Sequence, residues 1–201
     1  MKAAACITIF DQAINDYHVK DHVDTPMPNP FQEGSIENTM YLKAWIDTVQ
    51  WHLEDIVRDP EIDPNEGMQI KRRIDKSNQH RTDTVERIDD YYIDQFKDAS
   101  VSEDALLNTE SPAWVVDRLS ILCLKIYHMQ EQVERADVSG DHLKKCQDKL
   151  AILLDQKKDL SASFDFLLDE IRSGKKKIKV YRQMKMYNDD SLNPVLYQNK
   201  K

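Results

Sequence analysis

PAWVVDRLSILCLKIYHMQEQVERA, residues 112–136, decides the fold. Val115, Leu119, Leu122, Ile126, Met129 and Val133 recur every three to four residues, the repeat of one helix face. Val116, Ile121, Cys123 and Leu124 add apolar residues on its other faces. A helix apolar nearly all round is buried nearly all round, so this one belongs in the middle of a helical protein. Ser111 as N-cap and Pro112 at the first helical position mark its start.

Three more long helical patterns surround it. The first covers 36–58, with the stripe Leu42, Trp45, Ile46, Val49, Leu53 and Ile56, and Pro60 ends it. The second covers 64–97 and opens with Asp63 as cap, Pro64 at N1 and Glu66 completing a capping box. The fourth covers 141–173. Leu143, Cys146, Leu150, Leu153, Leu160, Phe164, Leu167 and Ile171 form its seam, broken at Lys157, and Gly174 stands at the C′ position. Short links favour antiparallel neighbours. The expectation is all-α: a single domain holding an antiparallel bundle of four long helices over 36–173. A short helix (3–18) and a Pro-rich arm precede it in 1–34, and a basic, aromatic tail follows in 175–201.

Composition agrees. The chain has 201 residues, only four glycines, 32% charged and 40% hydrophobic residues, the profile of long amphipathic helices. A net charge of −8 argues against general nucleic-acid binding, which needs a basic face. No run approaches the ~20 apolar residues of a membrane span, and the opening MKAAACITIF is too short for a secretory segment. Cys6, Cys123 and Cys146 form no CxxC or zinc spacing, and Cys123 and Cys146, lying in apolar helical patterns, read as reduced core residues. Together these favour a cytoplasmic protein.

One stretch departs from pattern. In IDKSNQHRTDTVERID, residues 74–89, Ile74, Val85 and Ile88 share a helix face with Ser77, Asn78 and Arg81. A lone buried charge costs several kcal/mol, roughly, unless paired. Those side chains therefore need partners or a wet cleft. Candidates lie on the neighbouring helices: His52 and Asp55 on one, and on the other the stripe Asp117, Ile121, Leu124, His128, Glu131, Arg135. The structural reading is a polar network that fixes helix register. The functional reading is an inter-helical pocket for an anionic small molecule. Arg81 would anchor the anion, Asn78, Ser77 and Glu131 would contact the ligand, and His52 and His128 would be acid/base groups, with Asp55 and Asp117 fixing their tautomer or pairing Arg81.

Two sharper chemistries are open. His52/Asp55 and His128/Glu131 are each three apart, on one helix face, as in metal-binding bundles, although the order reverses the Glu-x-x-His of di-metal carboxylate proteins. All-α nucleotide pyrophosphohydrolases are also acidic bundles that bind Mg²⁺ through ExxE and ExxD. Glu86 and Asp89 supply the second motif, but Val57 stands where Glu54 would need its acidic partner. Mg²⁺ is the cofactor under that reading, a transition metal at His52, Asp55, His128 and Glu131 under the former, and the residues alone leave the cofactor unknown or absent. His18, His22, His80 and His142 read as surface residues. Six basic residues in 175–185, with Tyr181, Met184, Met186 and Tyr187 interleaved, make either a solvated tail, an anion-binding lid or a docking strip. With Trp51 off the apolar stripe, self-association or a protein partner is the non-catalytic alternative.

WIDTVQWHLEDIVRDPEI (45–62), IKRRIDKSNQHRTDTVERID (70–89), NTESPAWVVDRLSILCLKIYHMQEQV (108–133) and MKMYNDDSLNPVLY (184–197) together resemble a bacterial family of unknown function, domain-of-unknown-function family 4254, found in Bacteroidetes. The resemblance runs from about residue 10 to 197. It carries an association with cell-envelope glycosyltransferase genes, and so implies a cytoplasmic role near nucleotide-sugar or lipopolysaccharide metabolism. It transfers no catalytic residue.

Overall fold

The computed structural model describes residues 1–184, 186 and 189–198. Lys185 and Tyr187, counted above in the basic and aromatic tail, lie outside them. The order is α1 (Ala3–His18), α2 (Ile36–Ile56), α3 (Pro64–Gln95), β1 (Leu106–Leu107), α4 (Pro112–Glu134), α5 (Gly140–Arg172), β2 (Lys176–Lys177) and α6 (Pro194–Gln198). The chain is mostly helical, and no described helix is long and apolar enough to cross a membrane.

α4 is central, packing against α1, α2, α3 and α5. Its all-round apolarity is matched by burial of Val115, Val116, Leu119, Leu122, Cys123, Leu124 and Ile126. α1 is more than a peripheral addition. It buries Cys6, Ile9, Phe10, Ala13, Ile14 and Tyr17 at i, i+3, i+4 spacing and packs against α2, α4 and α5. Five helices therefore build the core where the sequence suggested four. The Ala3 amide donates to Asp165 of α5 at 2.8 Å, which ties down the start of α1.

The starts of α2, α3 and α5 follow local chemistry, and those of α1 and α4 rely on another helix. Ser35 caps α2 and Ser139 caps α5 by accepting from Asn38 and His142. Asp63 accepts from Asn65 and Glu66 ahead of Pro64 in α3. Ser111 does not cap α4. Its hydroxyl donates to Asp89 of α3 at 2.9 Å, and Asp89 accepts from the Ala113 amide at 3.3 Å. A carboxylate from the neighbouring helix has taken the cap role. At the far end of α5, Gly174 turns the chain with φ +74°, and β2 then pairs in parallel with β1. A Cβ on Gly174 would lie 1.9 Å from the Ser100 carbonyl oxygen, so the turn requires glycine.

The seam of α5 is buried only toward its C-terminal end, at Phe164, Leu167, Leu168 and Ile171, apart from Cys146. Leu143, Leu150 and Leu153 are half-buried. Ile152 is largely exposed, leaving open clefts along that half of the helix.

Candidate functional site

α2 is buried on two faces. Tyr41, Trp45, Thr48 and His52 form one. Lys43, Asp47, Gln50 and Glu54, at i, i+4, i+7 and i+11, form a polar stripe on the other. The polar stripe meets the off-pattern residues of α3. Gln50 donates to Asn78 at 2.9 Å and accepts from Ser77 at 3.0 Å. One turn on, Arg81 donates to both oxygens of Asp117, Nε at 2.9 Å and Nη2 at 2.5 Å. Its Nε lies 3.4 Å from Asp47. Lys43 bonds Asp47 and reaches Asp117 at 3.0 Å. Ser120 donates to Asp47 at 2.6 Å.

Two cations thus meet two carboxylates, and the cluster is neutral when all four ionise. That balance makes the burial tolerable, because a partnerless charge here would cost several kcal/mol, roughly. Burial pushes the Asp47 carboxyl above its usual range. Lys43 opposes that shift, the Asp117 charge adds to it, and Arg81 opposes it.

Arg81 is the member of this cluster that reaches the surface. Its side chain is 26% exposed, against 0% for Lys43 and 3% for each aspartate. It lines a cleft of about 330 Å³ with Gln50, Trp51, Asp55 and Arg58. It also lines one of about 620 Å³ with Arg118, Lys125, Gln156 and Ser163. Lys125 is shared with a third cleft of about 600 Å³, whose walls include Trp51, His128, Met129, Lys149 and Ile152. The three clefts run together along α4.

His52 and His128 meet; His128 pairs with Glu131 as their spacing suggests, while the carboxylate beside His52 is Asp21. His18, expected on the surface, is half-buried and joins them. One ring nitrogen from each of the three lies within 4.8 Å of the others. Nε2 of His18 and Nε2 of His52 are 3.3 Å apart. Asp21 Oδ1 lies 3.6 Å from His52 Nε2. Burial lowers the His52 pKa, with Asp21 opposing and the two other histidines adding to the shift. Glu131 bonds His128 Nδ1 at 2.8 Å. Asp55 is exposed and lines two clefts without joining the histidine group.

Other expected features have different roles. Glu86 and Asp89 do not present a shared acidic face. Asp89 is buried and caps α4, while Glu86 accepts from Arg182 and the Gln183 amide of the tail. Arg182 also bonds Asp90, so this basic residue of the tail is held by α3. Trp51 is half-buried and stacks on His128 with centroids 4.7 Å apart, because α4 closes over that side of α2. His22, His80 and His142 are exposed. Lys43, Asp47, Gln50 and His18 were missed in the sequence. The i, i+4, i+7, i+11 polar stripe of α2 was the signal available for the first three.

No curated protein and no solved structure matched the chain. The model of one family did, over residues 37–180, which takes in α2 to α5 and leaves α1, with His18, and the end of the tail outside the match. The chain belongs to the family described as protein of unknown function DUF4254.

Proposed function

We propose that the protein binds an anionic small molecule, phosphorylated or of nucleotide-sugar type, in the clefts along α4. The carrying observation is Arg81. Its guanidinium is fixed in orientation by Asp117 and emerges between two clefts. Lys125 and Lys149 continue a cationic rim past it, while Trp51, Met129, Ile152 and Leu153 give the adjoining cleft an apolar wall for a base or sugar ring. A few charged groups above apolar surface is the usual make-up of a small-molecule site. The same reading puts the protein in the cytoplasm, supported by its three buried, unpaired cysteines, and near cell-envelope glycan metabolism, supported by the resemblance alone.

Thermal-shift titration with nucleotides, nucleotide sugars and sugar phosphates tests it. A ligand at a hundredfold its Kd adds roughly 2.7 kcal/mol, several degrees of melting temperature. The shift is expected to vanish in Lys125→Glu, an exposed position whose change leaves the unliganded melt unaltered. Absence of any shift, or a shift indifferent to Lys125→Glu, would remove this reading.

A further inference from the structure

We propose that His18, His52 and His128 bind a divalent transition-metal ion of the Zn²⁺ class, with the Asp21 carboxylate beside the fourth position. The inference stands apart from anion binding, since it uses other atoms at the meeting of α1, α2 and α4.

Distance is the first argument. Zn–N bonds of about 2.0–2.1 Å in a tetrahedron place two ligand nitrogens roughly 3.3–3.4 Å apart. The Nε2 atoms of His18 and His52 are 3.3 Å apart. Asp21 Oδ1, at 3.6 Å from His52 Nε2, is close to the same edge length. His128 brings the third nitrogen within 4.8 Å of the other two.

Tautomers are the second. His18 Nδ1 lies 2.7 Å from the Ile14 carbonyl oxygen, which can only accept. That nitrogen carries the proton, and the lone pair of the neutral ring is on Nε2. The Glu131 carboxylate accepts a hydrogen bond from His128 Nδ1–H in the same way. His128 Nε2 is then a buried acceptor, and it has no hydrogen-bond partner. The carbonyl behind His18 and the carboxylate behind His128 match the arrangement that orients metal-bound histidines. Three packed histidines serving only as core would leave that nitrogen unpaired, at a cost of ~1–3 kcal/mol.

Each ring is also held from behind. His18 stacks on Tyr127, His52 on Tyr17 and His128 on Trp51, with centroids 4.2, 5.0 and 4.7 Å apart. Asp21 reaches back toward the cluster from a positive φ of 48°, just beyond the end of α1. Three imidazoles favour Zn²⁺ and its first-row neighbours over Mg²⁺ or Ca²⁺, which take oxygen.

The full chain, stripped with chelator, would be titrated calorimetrically with Zn²⁺, and with Co²⁺ followed by its visible spectrum. One equivalent is expected to bind, with the intense bands of tetrahedral Co²⁺. His18→Ala and His128→Ala should weaken Zn²⁺ at least a hundredfold. Glu131→Gln, an exposed residue that orients His128, should weaken it roughly 10–100-fold with an unchanged circular dichroism spectrum. This last variant keeps the test decisive if a histidine variant fails to fold. No stoichiometric binding, or binding that these substitutions leave intact, would overturn the proposal.

Discussion

Arg81, Asp117, Lys43 and Asp47 hold one another's charge in a space that excludes most water. Removing any one leaves a net buried charge. Lys43→Met is therefore expected to cost about 3–5 kcal/mol in urea unfolding. Lys43→Met/Asp47→Leu should lose less than the sum of its two single variants, by more than ~1 kcal/mol, because the double change removes one charge of each sign. Strict additivity would mean that the groups do not interact. In the sequence, Arg81, Asn78 and Ser77 were visible because they interrupt an apolar stripe. Lys43 and Asp47 were not. A Lys–Asp pair four apart on a helix ordinarily reads as a solvated ion pair, and only a second buried face on α2 changes that. His18 was hidden similarly: it ends a short helix, and its partners come from residues 52 and 128.

At the level of elements, the four long helices were legible because proline, glycine, serine and aspartate mark their ends. Ser111 stands at the N-cap position of α4 as expected, but its hydroxyl goes to Asp89, and only packing of α3 on α4 shows that Asp89 takes the Ala113 amide. Glycines allow a direct test. Gly174→Ala should lose about 2 kcal/mol or more, because it combines a left-handed backbone with a collision at Ser100. Gly140→Ala opens α5, where the added Cβ meets nothing within 4 Å, and should be neutral or stabilising by up to about 1 kcal/mol. Differential scanning calorimetry of the two variants separates these outcomes.

The whole molecule should be sensitive to alkali. Burial raises the thiol pKa of Cys6 from 9.0 to about 11 and that of Cys123 from 9.0 to about 12. The unfolded chain loses these protons near pH 9, while the folded chain keeps them until about pH 11 to 12. The folded state thus binds more protons in that window, and stability falls as pH rises through it. At about 1.4 kcal/mol per unit, each thiol contributes a loss of roughly 2–4 kcal/mol. Denaturant midpoints at pH 8 and pH 11 would show this, and an unchanged midpoint would refute it. Below pH 9 both thiols should resist alkylation until the protein unfolds. At this scale the central place of α4 was readable from its apolar surface. Its clefts were not, because they depend on how closely α2, α3 and α5 pack along it.

Asp89 adds a consequence for how the fold assembles. Standing in α3, it satisfies the Ala113 amide of α4, so the first turn of α4 is complete only once α3 lies against it. The stabilisation involved, about 1 kcal/mol for a cap, belongs to neither helix alone. The two are coupled into one cooperative unit, and the loop between them lies inside that unit instead of joining independent halves.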